Sequence, residues 1–435
     1  MRWWKLTAFA MSITFLYSWQ VSPNQPDQIA EGRSLYLRHC SPCHGEGGKG
    51  DGPISKIVKP SVPDLTEGVF KFRSTPSGSL PTDEDLRRVI LEGIPSTPMM
   101  GVKGILSDEE VKSLIAFLKT LCPDFKGGEG AAPIKINPIP VTPKLLELGK
   151  QIYREFQCNT CHGEKGDGDG PMAKSLKDKK GRPIQVLSFR NANNFKNGYE
   201  PADIYRTIMT GLDGTPMASF ADVLTEEEGW AVAYFVHSLI SKKPARQRSN
   251  FSIPVKAVQS SASMFSDDKT WEKISTFELP LQSLWRENKP ESVRLKAAVS
   301  NQVLFLRLNW DDTTFNGKGK VLDSISVQIP LNLKGPVPSL FWGDHVSPVL
   351  VFQWVAGKGL TVFEARGFAS KTVRKYEAEG QGVWWKGQWT VVLKLNFPIL
   401  PNRLPFSVHL WDGGAGDSGE KRSITGWHWL EISPH

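Results

Sequence analysis

The sequence has no stripe of basic residues and only one long apolar run. Its 53 Lys and Arg residues outnumber its 45 Asp and Glu residues, but the surplus is scattered. Residues 26–122 hold 12 basic and 13 acidic side chains, and residues 141–243 hold 14 and 13. The basic stripe that binds nucleic acid is therefore missing, and no nucleic-acid partner is expected. Beyond the N-terminus, no segment approaches the length of about 18 apolar residues that a membrane-spanning helix needs.

The one apolar run follows Arg2 and Lys5 and extends from Leu6 to Trp19. It is short for a membrane span and has the form of an export signal. No small-x-small cleavage site stands out before Pro23, so an uncleaved anchor in the cytoplasmic membrane stays open as an alternative. We interpret residues 1–25 as a signal peptide or N-terminal anchor and expect a periplasmic protein.

Cysteine is scarce, and four of the five cysteines lie in two identical patterns. Residues 40–44 and 158–162 each read Cys-x-x-Cys-His, which is the attachment pattern of haem c. Two thiols at this spacing reach the two vinyl groups of one porphyrin, and the adjacent His becomes an axial ligand of the iron. A bare Cys-x-x-Cys would equally suit a redox dithiol or half of a zinc site. The predicted haem-binding residues are Cys40, Cys43 and His44, and Cys158, Cys161 and His162.

Further matches show that these patterns belong to an internal duplication. The offset from Cys40 to Cys158 is 118 residues. The same offset relates 51–53 to 169–171 (Asp-Gly-Pro), Gly93 to Gly211, 97–99 to 215–217 (Thr-Pro-Met) and Ser107 to Thr225. Each copy therefore carries its own site, and the 435 residues make about three domains.

The duplication also selects the second axial ligand. Met99 and Met217 each lie 59 residues after the first Cys of their copy. A thioether opposite an imidazole raises the reduction potential and closes the iron to small molecules. We therefore predict Met99 and Met217 as axial ligands, with Met100 as the alternative in the first copy, and no catalytic residue.

Each copy has the pattern of a small helical domain. Helices are predicted over 32–39 and 149–157, and over 83–91 and 201–209. A final helix begins at a capping box, Ser107 with Glu110 and Thr225 with Glu228. Both copies resemble class I cytochrome c domains, over residues 26–122 and 141–243. The resemblance implies a haem-wrapping helical fold and electron transfer. Cys122 has no counterpart in the second copy, and we assign it no role.

A Pro- and Gly-rich linker, residues 123–140, joins the two copies and is expected to be extended. From residue 258 to 435 the pattern changes to strands, including 293–298, 303–310, 325–331, 349–355, 360–365, 389–395 and 406–411. Eleven of the 15 Trp residues lie there. The predicted fold class is multidomain: two all-α cytochrome c domains followed by an all-β sandwich domain.

The strand-rich part resembles the haem b-binding γ subunit of ethylbenzene dehydrogenase and its relatives among the selenate, dimethyl sulfide and nitrite oxidoreductases. The matching segments are 308–313, 322–328, 342–344, 387–391 and 423–428. In those relatives the domain holds haem b through Met and Lys. Here Trp342 stands before the Gly of the first ligand loop, and the domain's single Met, Met264, lies far from it.

One non-covalent haem b is therefore an open alternative beside the two covalent haems c. If it binds, the resemblance implies Lys421 as one ligand and His345, or else His428, in place of the Met. The competing interpretation makes His345, His409 and His428 ordinary surface or sandwich residues. A Trp-rich sandwich without haem would serve as a docking surface or as a carbohydrate-binding-like module.

Two classes of function follow. The first is an electron-transfer subunit that accepts electrons from a molybdenum and iron–sulfur oxidoreductase and passes them to a soluble cytochrome or terminal oxidase. The second is a haem enzyme such as a di-haem peroxidase. Met99 and Met217 favour the first, because an enzyme needs a vacant or displaceable sixth position.

Overall fold

The computed structural model describes residues 25–127, 130–241, 252–258, 268–286 and 292–432. Two helical modules come first and a β-domain follows, so the predicted fold class is confirmed. The first module contains α1 Gln25–His39, α2 Ser41–His44, α3 Asp83–Glu92 and α4 Asp108–Leu121. The second contains α5 Pro143–Glu155, α6 Cys158–His162, α7 Pro201–Thr210 and α8 Glu226–Ser238.

The first and last helices of each module cross at a glycine. A Cβ atom built on Gly32 would lie 1.9 Å from the carbonyl oxygen of Ser113, and one on Gly149 would lie 2.0 Å from that of Ala231. Only a residue without a side chain lets the two backbones approach this closely. Both predicted capping boxes are confirmed at the starts of α4 and α8. The terminal helices thus form the same crossed pair in both modules.

The linker is extended and packs against both helical modules. Ile134, Ile136 and Ile139 pack against the core of the second module. The carbonyl of Ile139 accepts a hydrogen bond from the Tyr234 hydroxyl at 2.7 Å, and the Ile134 amide donates to the Ser74 carbonyl of the first module at 2.8 Å. The alternating Ile residues therefore seat the segment on the protein.

The β-domain adds one short helix, α9 Asp268–Glu272, and fourteen strands among the described residues. They are β1 Ser252–Ala257, β2 Phe277–Pro280, β3 Gln282–Ser283, β4 Ser292–Ser300, β5 Val303–Asp311, β6 Ser324–Pro330, β7 Val349–Val355, β8 Gly359–Ala365, β9 Lys371–Val373, β10 Ala378–Trp385, β11 Gln388–Asn396, β12 Arg403–Trp411, β13 Ser423–Ile424 and β14 His428–Ile432. Strand β1 lies ahead of residue 258, where we expected the domain to begin.

One continuous path connects most of these strands, in the order β10-β11-β5-β4-β1-β14-β12-β6-β7-β8-β9. Strand β1 joins the two halves, because its first residues pair in parallel with β14 and its last two with β4. Apolar side chains of β4, β5 and β11 share one core with those of β6, β7 and β12. The two halves thus pack face to face, as a sandwich requires.

The first helical module rests on the β-domain. Ile54 and Val58 pack against Leu284, Phe341 and Ile424 in one buried cluster, which we call the interdomain cluster. The Lys59 amide donates to the Leu284 carbonyl at 2.9 Å. This contact fixes the first module against the strands.

Residues 1–24, most of the expected leader, and Met264 lie outside the described residues. Within the part of the chain that the structure describes, no helix has the length and apolar character to cross a membrane.

Candidate haem sites

Each Cys-x-x-Cys-His segment forms a short helical turn. Cys40 precedes α2, and its carbonyl accepts from the His44 amide at 2.9 Å. Cys158 begins α6, which ends at His162. One helical turn places both thiols and the imidazole on the same side, as attachment to one porphyrin requires.

The protonation states of the thiols and imidazoles follow from their burial. All four cysteines of the two turns are free thiols. Burial raises the pKa of Cys40 and Cys43 to about 12 and that of Cys158 to about 11. Burial also lowers the pKa of His44 and His162 to about 4. The imidazoles are therefore neutral, which is the form that binds a metal.

Neighbouring groups orient each turn in the same way. The Tyr36 hydroxyl donates to the carbonyl of Gly45, next to His44, at 2.7 Å. Tyr153 makes the same bond to Gly163, next to His162, at 2.7 Å. These tyrosines are 117 residues apart whereas the first cysteines are 118 apart. The extra residue in the second module is taken up between α5 and α6, where Gln157 has a φ of 58°.

The two methionine loops also have matching hydrogen bonds. The Met99 carbonyl accepts from the Ile94 amide at 3.0 Å, and the Met217 carbonyl accepts from the Leu212 amide at 2.9 Å. In each loop the Thr two residues before the Met accepts from the Met amide, at 3.3 and 3.2 Å. Met99 and Met217 are thus equivalent in three dimensions as well as in sequence.

Comparison with known proteins identifies both modules. Residues 29–122 match the cytochrome c family, and residues 145–236 match the family of subunit III of the cbb3-type cytochrome c oxidase. Both helical modules are cytochrome c domains. Two such domains imply haem c cofactors and electron transfer as their activity.

Several relatives belong to respiratory systems. The chain is 23% identical over 219 residues to a candidate heme subunit of a respiratory nitrate reductase from Haloferax mediterranei, covering 45% of this chain and 77% of the relative. It is 25% identical to the cbb3-type oxidase subunit CcoP of Azospirillum brasilense, covering 48% of this chain and 62% of the relative. The chain therefore spans less than two thirds of the CcoP protein.

One solved structure is also similar. A chain of the Kuenenia stuttgartiensis reducing HAO-like protein complex Kustc0457/Kustc0458 is 41% identical, with a TM-score of 0.47. The match covers 48% of this chain and 96% of that chain.

Met100, the alternative ligand in the first domain, has a different environment from Met99 and Met217. Its side chain packs against the interdomain cluster. It also lines a small cleft with Leu281, Gln282 and His428 of the β-domain. Met100 is therefore already used in holding the first cytochrome c domain to the strands.

The structure gives no support to a haem b held by Lys421 and His345. The Lys421 side chain is exposed, with its ammonium group 4.6 Å from the centre of the Trp285 ring. His345 is exposed on a loop, whereas His428 is buried. Neither Lys421 nor His345 therefore lies in a buried pocket that could hold a haem.

The space beside Trp342, where the resemblance places the first ligand loop, is filled by side chains. Trp342 is 3% exposed and stacks with His409 at 6.2 Å between ring centres. The guanidinium of Arg422, which is fully buried, lies 4.4 Å from the centre of the Trp342 ring and 5.3 Å from that of Trp411. Burial lowers the pKa of Arg422 to about 9. A packed aromatic cluster with a buried cation takes the place of a cofactor pocket.

Sequence reasoning missed a residue that joins the two cytochrome c domains. Arg73 of the first domain is fully buried and donates to the Asp213 carboxylate at 2.8 Å and to the Thr210 carbonyl at 3.0 Å. Asp213 also accepts from the Ser77 hydroxyl and the Gly78 amide, both at 2.9 Å. Asp213 lies in the loop that leads to Met217. No local pattern indicates a contact between residues so far apart in the chain.

Proposed function

We propose that this protein is the di-haem electron-transfer subunit of a periplasmic respiratory oxidoreductase complex. A molybdenum and iron–sulfur oxidoreductase supplies the electrons, and a soluble cytochrome or terminal oxidase accepts them. The names of two relatives support this proposal, because they describe a heme subunit of a respiratory nitrate reductase and a subunit of a cytochrome c oxidase. Export follows from the N-terminal signal predicted over residues 1–25.

In this proposal, Cys40 and Cys43 attach one haem and Cys158 and Cys161 the other. When bound, each haem supplies a one-electron iron couple. His44 with Met99, and His162 with Met217, would hold the two irons. Hydrogen bonds hold the backbone of each Met loop, and the Tyr36 and Tyr153 hydroxyls fix the backbone beside each His. A rigid ligand set suits electron transfer, because little has to move when the charge changes.

The observation that carries this proposal is the matched hydrogen bonding of the two methionine loops. Packing of Met100 in the interdomain cluster supports Met99 as the ligand in the first domain. Two His/Met sites would leave no open position for a substrate, and this disfavours the alternative of a di-haem peroxidase.

We expect the reduced protein not to bind carbon monoxide. Six-coordinate haems with a Met ligand have no free position, so the visible spectrum should stay unchanged and hydrogen peroxide should not be turned over. The Met217→Ala variant is the control, because it opens one iron and should bind carbon monoxide. Binding of carbon monoxide by the unmodified protein would favour the enzyme.

The β-domain, in this proposal, carries no haem and docks the partner oxidoreductase. His409 and Arg422 fill the space beside Trp342, and this packing supports the absence of haem b. The interdomain cluster supports a docking role, since it would hold the first cytochrome c domain in a fixed position relative to whatever the strands bind.

A further inference from the structure

Three acidic residues meet at one end of the β-sandwich. Asp312 directly follows β5, Asp323 directly precedes β6 and Asp412 directly follows β12. One carboxylate oxygen from each lies within 4.8 Å of one from each of the others. Strand β5 belongs to one half of the sandwich, and β6 and β12 belong to the other. The cluster therefore lies where the two halves approach each other.

One oxygen in this cluster is buried without a hydrogen-bond partner. Asp312 is only 6% exposed. Its Oδ1 accepts from the Thr314 amide at 3.0 Å and from the Thr314 hydroxyl at 2.9 Å, whereas its Oδ2 is buried and unpartnered. An unsatisfied carboxylate oxygen is costly to bury. Burial, together with the charges of Asp323 and Asp412, raises the pKa of Asp312 to about 6.

Within the described residues, one basic side chain, Arg286, forms ion pairs with this cluster. Arg286 pairs with Asp412 at 3.2 Å and with Asp417 at 2.9 Å. Among the residues that the structure describes, no ion pair reaches Asp312 or Asp323. The Arg286 guanidinium thus neutralises part of the charge of Asp412 and Asp417. The negative charges of Asp312 and Asp323 have no basic partner among the described residues.

Neutral donors hold Asp323 in place instead. Asp323 is fully buried. It accepts from the amides of Asn316 and Gly413 at 2.7 and 2.8 Å, and from the Trp389 indole at 3.1 Å. Such bonds fix the direction of a carboxylate without removing its charge, as the hydrogen bonds around metal ligands do.

We propose that Asp312, Asp323 and Asp412 bind a divalent cation, and that this cation is calcium. The three ligands offer only oxygen, which selects a hard cation over zinc or copper. The Thr314 hydroxyl contacts Asp312, and the Asn316 side-chain oxygen lies 2.9 Å from that hydroxyl, so both add neutral oxygens near the cluster. These residues come from separate loops, and calcium accepts such irregular oxygen sites better than magnesium does. The cation ties β5 to β6 and β12.

Calcium titration of the full-length holoprotein, after treatment with EDTA, tests this site by calorimetry. We expect one calcium ion per chain and an affinity lower by about tenfold or more in Asp312→Asn, as the loss of a charged ligand predicts. The matched control is Asp311→Asn, which changes the adjacent residue, whose exposed side chain pairs with Arg294. This control should bind calcium like the unmodified protein.

Thermal unfolding gives an independent readout. In EDTA, Asp312→Asn should melt at the same temperature as the unmodified protein or higher, because it removes an uncompensated buried charge. Calcium should raise the melting temperature of the unmodified protein and of Asp311→Asn, but not of Asp312→Asn. The proposal is overturned if the unmodified protein does not bind calcium, if it binds magnesium in preference, or if Asp312→Asn binds calcium equally well.

Discussion

Replacing Met99 by Ala is expected to lower the reduction potential of one haem by a few tenths of a volt, within the range of about 0.8 V that axial ligands set. The thioether stabilises ferrous iron, and its loss leaves water or an open position. The weak long-wavelength absorption of ferric iron bonded to methionine sulfur should fall by half, because Met217 still provides the other bond. A redox titration followed by visible spectra measures both changes.

Met100→Ala is the matched control for this experiment. It removes an identical side chain from the next position, one that packs in the interdomain cluster. We expect both potentials to be retained and the free energy of unfolding to fall by up to about 2 kcal/mol, the scale of burying part of a Met side chain. If Met100→Ala removes the sulfur band and Met99→Ala leaves it, the assignment of the first site is wrong.

Asp213→Ala is expected to lower the free energy of unfolding by about 3 kcal/mol. The variant leaves the Arg73 guanidinium fully buried without its carboxylate, and breaking a buried pair from one side costs about 3 to 5 kcal/mol. The lower end applies because the Asp213 side chain is 17% exposed and partly screened by water. Urea unfolding, followed by the haem absorption, measures the change.

Asp83→Ala provides the comparison, because Asp83 pairs with Lys119 at the surface at 2.8 Å. Exposed pairs of this kind contribute at most about 1 kcal/mol. Asp213 anchors the loop before Met217. Asp213→Ala should therefore also weaken the bond between the Met217 sulfur and the haem iron, so that the long-wavelength absorption falls on mild warming. Equal, small losses in the two variants would show that Arg73 does not hold the cytochrome c domains together.

The sequence was sufficient to predict the two cytochrome c domains, because attachment of haem c needs a fixed local pattern and the duplication repeats it. The two capping boxes were predictable for the same reason, since every partner lies within three residues. Arg73 and Asp213 could not be predicted, because they are separated by 140 residues and meet only after both domains have folded.

Seven of the fourteen strands described were not among the predicted segments, and the structure explains two of them, β1 and β10. Strand β10 contains Gly380 and Gly382, which weaken a strand pattern. A Cβ on Gly382 would lie 2.2 Å from the Trp354 ring, so glycine is needed there for close packing. Strand β1 contains Pro254 and makes only short parallel pairings on its two sides. Strand β1 does alternate, with Ile253 and Val255 buried, but only two inward-facing apolar residues in a short segment give a weak pattern.

Lys421 and Arg422 illustrate the limit of the resemblance in the β-domain. The Lys421 side chain is exposed, whereas that of Arg422 is fully buried among aromatic rings. Adjacent residues in extended backbone point to opposite sides, so a shift of one position decides which cation enters the interior. A sequence match of this length does not determine that register.

Haem stoichiometry tests the central claim most directly. The pyridine haemochrome assay on the purified chain should give two haems, and extraction with acidified acetone should leave both with the protein, because thioether bonds resist it. A single haem per chain would contradict the tandem sites, and a further haem released into the acetone would contradict a β-domain without haem b.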